Sequence, residues 1–478
     1  MTARQHAVSC RQFTPFNSQS MIKKRPGWRD YQARLKKRES IHRWKSRTPV
    51  CISLVLILLF TTHTLFALFD ATPSDHFLIS PDNMEHTALD NRTRKVSTRL
   101  EKTQVQNLLT RELLLNTKVN TFNIPFKGRN FRVETTINTG LQQYLAKKID
   151  RSIAVSLGLI AMDPESGRIL AMVGFDRQEC MVNPCTESNF PAASVFKIIT
   201  AAAAIEKLGL IPDSRLKFNG RKHTLYKSQL KEKTNKYTNR ITLKDSFAQS
   251  VNPVFGKLGS NRLGKSVLEW YAEAFAFNRE IGFELPVSPS TVTVSEKPYH
   301  LAEIASGFNR ETMISPLHGV LLTSAILNHG TMAEPTIIQR IVDEQGNTVY
   351  QGSQSVISRP VRPETALVLK QLMNATVRYG TARKAFRGCR RDRILGKLNL
   401  GGKTGSIANR AHDVHYDWFV GFAEEKQGPE KIAVAVVVGH GDKLGTRAGQ
   451  YARMAFRHYF LDIFNRKKIQ MVKAECPS

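Results

Sequence analysis

Residues 191–208 read PAASVFKIITAAAAIEKL and form the most informative stretch of the chain. There is no proline or glycine from Ser194 to Leu208, and Gly209 follows, which is typical of a helix that ends at a glycine. Alanine and isoleucine occupy nearly every face, so we expect a helix that is buried on almost all sides. Ser194 and Lys197 are three residues apart and therefore share one face of this helix.

The Ser194–Lys197 pair has the groups needed for nucleophilic catalysis. A serine becomes a nucleophile only beside a base, and a buried lysine can act as that base when it is neutral. The start of a helix also offers backbone N–H groups to a developing oxyanion. Taken alone, the pattern favours an ordinary surface pair, because Ser-x-x-Lys also begins at Ser20, Ser214 and Ser228. Only Ser194 opens an apolar helix.

A second polar motif is Ser250-Val251-Asn252. From a short loop, Ser250 and Asn252 can both point into a cleft. Ser250 could then pass a proton to a leaving amine, and Asn252 could hold a substrate amide. Taken alone, the motif is better explained as a helix cap or a turn.

A third motif is Lys403-Thr404-Gly405-Ser406, which follows the strand-like residues 398–402. On a strand, Lys403 and Gly405 face one way and Thr404 the other. We expect Gly405 to let a substrate backbone approach closely. Lys403 supplies positive charge, and Thr404 or Ser406 can donate to a carboxylate. The alternative is an exposed turn after two glycines.

In this order and spacing, the three motifs resemble those of the penicillin-binding protein and serine β-lactamase superfamily. The resemblance covers residues 132–465 and includes further segments: Met162–Gly167, Ser315–Leu317 with Asn328–Gly330, Gly380–Ala382 and Trp418–Gly421. It implies an α+β fold, with an antiparallel five-stranded sheet flanked by helices and an all-α subdomain. The apolar runs at 156–162, 169–173, 398–400, 418–422 and 432–438 are consistent with five such strands, and residues 444–464 with a closing helix.

The resemblance also implies a reaction. Ser194 would attack the penultimate D-Ala carbonyl of a peptidoglycan stem peptide, and Lys197 would take its proton. The backbone N–H groups of Ser194 and Ser406 would form the oxyanion hole. Ser250 would relay a proton to the leaving D-Ala, and Asn252 would orient the substrate amide. The terminal carboxylate would be held by Lys403, Thr404 and Ser406. An amine from a neighbouring strand would then resolve the acyl-enzyme. β-Lactam antibiotics would acylate Ser194, and no metal or organic cofactor is expected.

Several alternatives remain within and outside this superfamily. A D,D-carboxypeptidase, a β-lactamase or a β-lactam sensor would share these motifs. The Glu-x-x-Leu-Asn segment of a serine β-lactamase is absent between Ser250 and Lys403. A catalytically silent scaffold for cell-wall assembly is disfavoured, because five motif residues are all intact: Ser194, Lys197, Ser250, Asn252 and Lys403.

The charge of the chain is concentrated in part at its N-terminus. The 478 residues carry a net charge of +30, and residues 1–49 hold thirteen Lys or Arg against two acidic residues. Residues 50–69 contain no charged side chain and would span roughly 30 Å as a helix. We therefore expect a cytoplasmic basic tail (1–49), a transmembrane anchor (50–69), a stalk (70–131), the transpeptidase domain (132–465) and a C-terminal tail (466–478).

This topology determines the expected surroundings of the protein. The basic tail is explained by orientation in the bacterial cytoplasmic membrane, so no nucleic acid is expected as a partner. The catalytic domain would lie outside the cytoplasm, and a membrane glycosyltransferase is an implied partner. In an oxidising compartment Cys180 and Cys185 are close enough in sequence to form a disulfide, although two free thiols remain the alternative. No Cys/His cluster has the spacing of a zinc site.

Overall fold

The structure is a computed structural model that describes residues 99–109, 114–178 and 182–475, without the side chains of 471–475. The predicted tail and anchor (1–69) lie outside the described residues. Within the described ranges, no helix combines the length and apolar character that a membrane crossing requires.

The secondary structure is mixed. The strands are β1 Thr121–Phe126, β2 Arg129–Thr135, β3 Ala154–Met162, β4 Ile169–Asp176, β5 Phe190–Pro191, β6 Arg215–Phe218, β7 Asn239–Thr242, β8 Met313–Ile314, β9 Met332–Ala333, β10 Ile338–Val342, β11 Thr348–Gln351, β12 Val356–Ser358, β13 Leu398–Ala408, β14 His415–Glu425 and β15 Lys431–His440. The α-helices are α1 Lys102–Leu108, α2 Thr139–Lys148, α3 Lys197–Leu208, α4 Leu243–Ala248, α5 Asn252–Lys257, α6 Gly264–Ala274, α7 Pro298–Ser306, α8 Pro316–Leu327, α9 Pro363–Arg378 and α10 Ala448–Glu475.

The centre of the fold is the predicted five-stranded antiparallel sheet, in the order β13-β14-β15-β3-β4. Its side chains alternate between two buried faces. On one face Leu159 and Val436 belong to a core with Tyr451 of α10. On the other, Ile160 and Val437 belong to a core with the helices around α8. The five strands inferred from the apolar runs are confirmed.

Helix α8 lies very close to the sheet. A Cβ atom at Gly319 would fall 3.2 Å from Val420 Cγ1 and 3.3 Å from Ala435 Cβ. On this side, helices α3 to α8 form the expected all-α part, together with a π-helical turn at Leu258–Leu263. The site residues lie where these helices meet the edge strand β13.

The described part of the predicted stalk is folded into the domain. Strand β2 pairs with β1 and with β10, and the Leu100 N–H donates to the Val349 carbonyl at 2.7 Å. Val105, Leu108 and Leu114 are buried in the main core, which explains why this segment packs against the domain. At the other end, α10 continues to Glu475, beyond the expected domain boundary at residue 465.

Cys185 carries a free thiol that is completely buried. Its Sγ donates to the carbonyls of Val173 at 3.5 Å and Leu159 at 3.6 Å, and burial raises the pKa of the thiol to about 12. In the structure Cys185 is therefore a free thiol, the alternative to the expected disulfide, and its hydrogen bonds are made within the sheet core. Cys180 lies outside the described residues.

Candidate active site

Ser194 lies in a short 3-10 turn, Ala193–Phe196, immediately before α3. The preceding residue, Ala193, has φ of +48°, a left-handed conformation that is uncommon without glycine. A Cβ atom at Gly307 would fall 1.8 Å from the Ala193 carbonyl oxygen, so glycine is required there. The turn that presents the serine is thus constrained on both sides. The predicted helix is confirmed, with its first turn wound more tightly.

Lys197 is fully buried beside the serine. Its Nζ lies 2.8 Å from Ser194 Oγ and 2.7 Å from Asn252 Oδ1, and it also bonds to the Ser306 carbonyl. The amide and carbonyl oxygens can only accept hydrogen bonds, so a neutral amine would give them its two protons and direct its lone pair to the hydroxyl. Burial, and second the charge of Lys403, hold the pKa of Lys197 well below its ordinary value. Lys197 therefore has the environment of a general base.

Ser250 and Lys403 form a second hydroxyl–amine pair. Lys403 is fully buried, and its Nζ donates to Ser250 Oγ at 3.0 Å and to the Thr404 carbonyl at 2.8 Å. Burial lowers the pKa of Lys403 to about 7. Ser250 has φ of +55° between α4 and α5, a strained conformation of the kind that clusters at functional sites. This pair can hold or release a proton near neutral pH.

The edge strand β13 supplies polar groups along the cleft. Thr404 Oγ1 lies 2.5 Å from Thr381 Oγ1, and the exposed Ser406 has its Oγ 2.7 Å from Nε2 of His415. The hydroxyls of Thr404 and Ser406 can donate hydrogen bonds to a substrate carboxylate that also faces the ammonium group of Lys403.

Gly405 has a different structural role from the one expected. A Cβ atom there would fall 3.1 Å from Trp418 Cβ and 3.2 Å from Ala193 Cβ, so its vacant side points to protein rather than to substrate. The glycine allows β13 to pack tightly against the turn that carries Ser194. It therefore controls the separation between nucleophile and strand.

Three groups at the site had no signal in the sequence. The Asn252 side-chain amide donates to the His223 carbonyl at 3.0 Å, and the His223 ring bonds to the Ser250 backbone. Burial lowers the pKa of His223 and of His415. Both histidines lie outside the three motifs, as does the Ser306 carbonyl that accepts a hydrogen bond from Lys197. A backbone carbonyl is present in every residue, so its contact cannot be predicted from a side-chain pattern.

The fold brings together all eight predicted site residues: Ser194, Lys197, Ser250, Asn252, Lys403, Thr404, Gly405 and Ser406. A serine hydroxyl beside a lysine with a strongly lowered pKa, together with a second serine–lysine pair, is the set of groups that a serine acyl-transfer enzyme requires. In the part of the chain that the structure describes, no group of three or more His, Cys, Asp or Glu side chains is placed to hold a metal ion.

Comparison with known proteins identifies the family. The model of the penicillin binding protein transpeptidase domain matches residues 157–460, and the chain belongs to this family. This is the class of serine-type D-Ala-D-Ala transpeptidases.

The sequence identity between this chain and individual members of the family is low. The chain is 25% identical over 372 residues to the peptidoglycan D,D-transpeptidase PbpA of Mycolicibacterium smegmatis, covering 68% of this chain and 72% of the relative. It is 27% identical over 340 residues to stage V sporulation protein D of Bacillus subtilis, covering 64% of this chain and about half (49%) of that relative. The penicillin G acyl-enzyme of penicillin-binding protein A from Mycobacterium tuberculosis has a similar fold, with a TM-score of 0.54, 22% identity, and coverage of 68% of this chain and 79% of that one.

Proposed function

We propose that the protein is a membrane-anchored D,D-transpeptidase that cross-links peptidoglycan stem peptides through an acyl-enzyme at Ser194. The observation that carries the proposal is the buried Lys197, whose Nζ lies 2.8 Å from Ser194 Oγ and 2.7 Å from Asn252 Oδ1. Lys197 has no carboxylate partner among the described residues, and burying such a lysine is costly, so this arrangement is best explained by its chemistry.

The first step is acylation. Ser194 Oγ attacks the carbonyl carbon of the penultimate D-Ala, and its proton passes to Lys197 Nζ. The negative charge that develops on the carbonyl oxygen is stabilised by the backbone N–H groups of Ser194 and Ser406. The close packing of Gly405 against Ala193 supports this assignment, because it keeps strand and turn adjacent.

The second step is departure of the terminal D-Ala. Its amine needs a proton as the C–N bond breaks, and Ser250 supplies it while Lys403 restores the proton to Ser250. The 3.0 Å contact between Lys403 Nζ and Ser250 Oγ supports this relay. Asn252 orients the substrate amide, and Lys403, Thr404 and Ser406 hold the terminal carboxylate.

In the third step an acceptor amine attacks the ester carbonyl of the acyl-enzyme and forms the cross-linking amide. The bond to Ser194 Oγ breaks, Lys197 returns its proton to that oxygen, and the proton lost by the attacking amine passes to Lys197. Among the described residues, the hydrogen-bond partners of Lys197 and Lys403 are hydroxyl, amide and carbonyl oxygens, with no carboxylate. A carboxylate would be the natural base to activate water. Because the described residues place no such carboxylate beside the two lysines, transfer to an amine is favoured over hydrolysis. For the same reason we expect the acyl-enzyme formed with a β-lactam to be long-lived.

The cellular setting follows from the sequence. The apolar segment 50–69 anchors the chain in the bacterial cytoplasmic membrane, with the catalytic domain outside the cytoplasm. A membrane glycosyltransferase supplies the glycan strands that carry the stem peptides.

The experiment is to incubate the full-length protein with a pentapeptide stem substrate and an amine acceptor, and to measure products by mass spectrometry. We expect free D-Ala together with the peptide–acceptor adduct, and neither product with the Ser194→Ala variant. Release of D-Ala without any adduct would assign the protein as a carboxypeptidase instead. Equal turnover by the variant would remove Ser194 from the mechanism.

A further inference from the structure

A cavity of about 790 Å³ lies between the C-terminal end of α9, residues 379–397 and the beginning of β13. We call it the basic pocket, because six of its lining residues are exposed cations: Arg378, Arg383, Arg387, Arg390, Arg391 and Lys426. None of the proposed catalytic side chains lines it.

The described residues do not neutralise the positive charge of the basic pocket. Residues 378–397 hold eight Lys or Arg and a single acidic residue, Asp392. Asp392 is already engaged, since it accepts from Arg457 at 3.0 Å and from the backbone N–H groups of Ile394 and Leu395. The nearby Glu424 and Glu425 are likewise paired, with Lys370 and Lys467. Within the described ranges, none of the six lining cations forms an ion pair with a carboxylate.

Like charges that line one cavity repel one another, so an unpaired cluster favours an anionic ligand. Arginine is the predominant cation here, and its planar guanidinium binds phosphate oxygens through two parallel hydrogen bonds. The only side-chain hydrogen bond from these six cations in the described residues is that of Lys426 to the Gly396 carbonyl, at 2.7 Å. The guanidinium groups are therefore free to bind a phosphate.

The basic pocket is not polar throughout. Val377, Phe386, Leu395, Leu398 and Leu400 also line it. A cavity lined by exposed cations together with apolar side chains matches an amphiphilic anion better than a fully hydrated one. Lys and Arg side chains near a membrane surface attract anionic phospholipid head groups, and the predicted anchor would tether the domain to a membrane.

We propose that the basic pocket binds the phosphate head group of an anionic phospholipid, separately from the transpeptidase site. The head group of the lipid is a phosphate ester, and a soluble organic phosphate contains the same group. The apolar wall distinguishes the two, because only the lipid has a chain to place against it.

The test uses the full-length protein in nanodiscs of zwitterionic phosphatidylcholine, titrated calorimetrically with heats from empty nanodiscs subtracted. The three probes are monomeric dihexanoyl phosphatidylglycerol, dihexanoyl phosphatidylcholine and glycerol 3-phosphate. The variant R387Q/R390Q/R391Q removes three cations whose side chains make no hydrogen bond in the described structure. The control K118Q/K207Q/R279Q removes the same charge at scattered exposed positions.

We expect phosphatidylglycerol to bind the wild type and the control variant alike, and more tightly than either other probe. The triple arginine variant should bind it about 100-fold more weakly, since each cation beside a phosphate contributes about fivefold. Binding should also weaken as NaCl rises from about 0.05 M to about 0.5 M. Unchanged penicillin labelling of the arginine variant would show that it is folded and that the two sites are separate.

Two results would overturn the proposal. Equal affinity for phosphatidylglycerol and glycerol 3-phosphate would identify a soluble phosphate site and not a lipid site. Equal weakening in the arginine variant and in the control variant would show that overall charge, and no specific pocket, is responsible.

Discussion

Replacing Lys403 with methionine should make the folded protein more stable while removing activity. Burial lowers the pKa of Lys403 from 10.5 to about 7, which corresponds to about 4 kcal/mol lost from the free energy of unfolding at pH 7. Methionine has a similar length and carries no charge. The variant loses two hydrogen bonds, to Ser250 Oγ and to the Thr404 carbonyl, worth about 1 kcal/mol each. The expected net gain is about 2 kcal/mol, which for a domain of this size is about 2–3 °C in Tm.

The difference in stability between Lys403→Met and the wild type depends on pH. Between about pH 7 and 10.5, Lys403 is protonated in the unfolded chain but neutral in the folded protein, so wild-type stability rises with pH. The advantage of Lys403→Met is therefore complete below pH 7 and shrinks as the pH rises. It should reverse at about pH 9, where the penalty of burying Lys403 has fallen to about 2 kcal/mol and equals the loss of the two hydrogen bonds.

The assay is thermal unfolding of the full-length protein in detergent from pH 6 to pH 10. Tryptophan fluorescence is a suitable signal, because Trp418 is fully buried next to the site. The exposed Lys443→Met serves as control and should change the free energy of unfolding by less than about 0.5 kcal/mol. A variant Lys403→Met that is less stable than the wild type at pH 6, or a difference that does not vary with pH, would refute the reasoning.

Three further predictions concern the rate constant for acylation by a penicillin. In the wild type it should rise with pH as Lys197 loses its proton, and fall above about pH 7 as Lys403 loses its charge. Asn252→Asp places a carboxylate 2.7 Å from Lys197 Nζ, which raises the pKa of Lys197 and shifts the acidic limb of the profile to higher pH. Gly405→Ala forces β13 away from Ala193, and should destabilise the fold by about 1–3 kcal/mol and slow acylation by about tenfold or more.

Each of these has a control and a contradicting outcome. A flat pH profile would contradict the roles of both lysines. Asn252→Ala is the partner of Asn252→Asp, because it removes the amide without adding a charge, and equal profiles for the two would exclude the electrostatic explanation. Gly441→Ala is the control for Gly405→Ala, because its added Cβ atom meets only Val155 Cγ1 at an ordinary 3.4 Å. Equal acylation rates in the two glycine variants would show that the strand position is unimportant.

The sequence predicted the local features well, because they depend on short-range periodicity. The spacing of Ser194 and Lys197 on one helix was enough to place hydroxyl and amine together, and the apolar runs gave the five central strands. By contrast, the contact between Lys403 and Ser250 joins residues 153 positions apart. Only the family resemblance suggested it.

Other features depended on packing that no local pattern encodes. Gly405 was expected to make room for substrate, whereas its vacant side faces Ala193 and Trp418. Cys185 was expected to pair with a neighbour in sequence, but its thiol is satisfied by carbonyls of the sheet core. The segment from Leu100 was expected to be a stalk, because the long-range pairing of β2 with β10 that folds it cannot be seen along the chain.

The most direct measurement is labelling of the full-length protein with a fluorescent penicillin, in the wild type and in Ser194→Ala. The wild type should retain one covalent label per chain through denaturing electrophoresis. The variant should retain none while unfolding at a Tm close to that of the wild type. An unlabelled wild type, or a variant labelled to the same extent, would contradict the assignment of Ser194 as the acylated nucleophile.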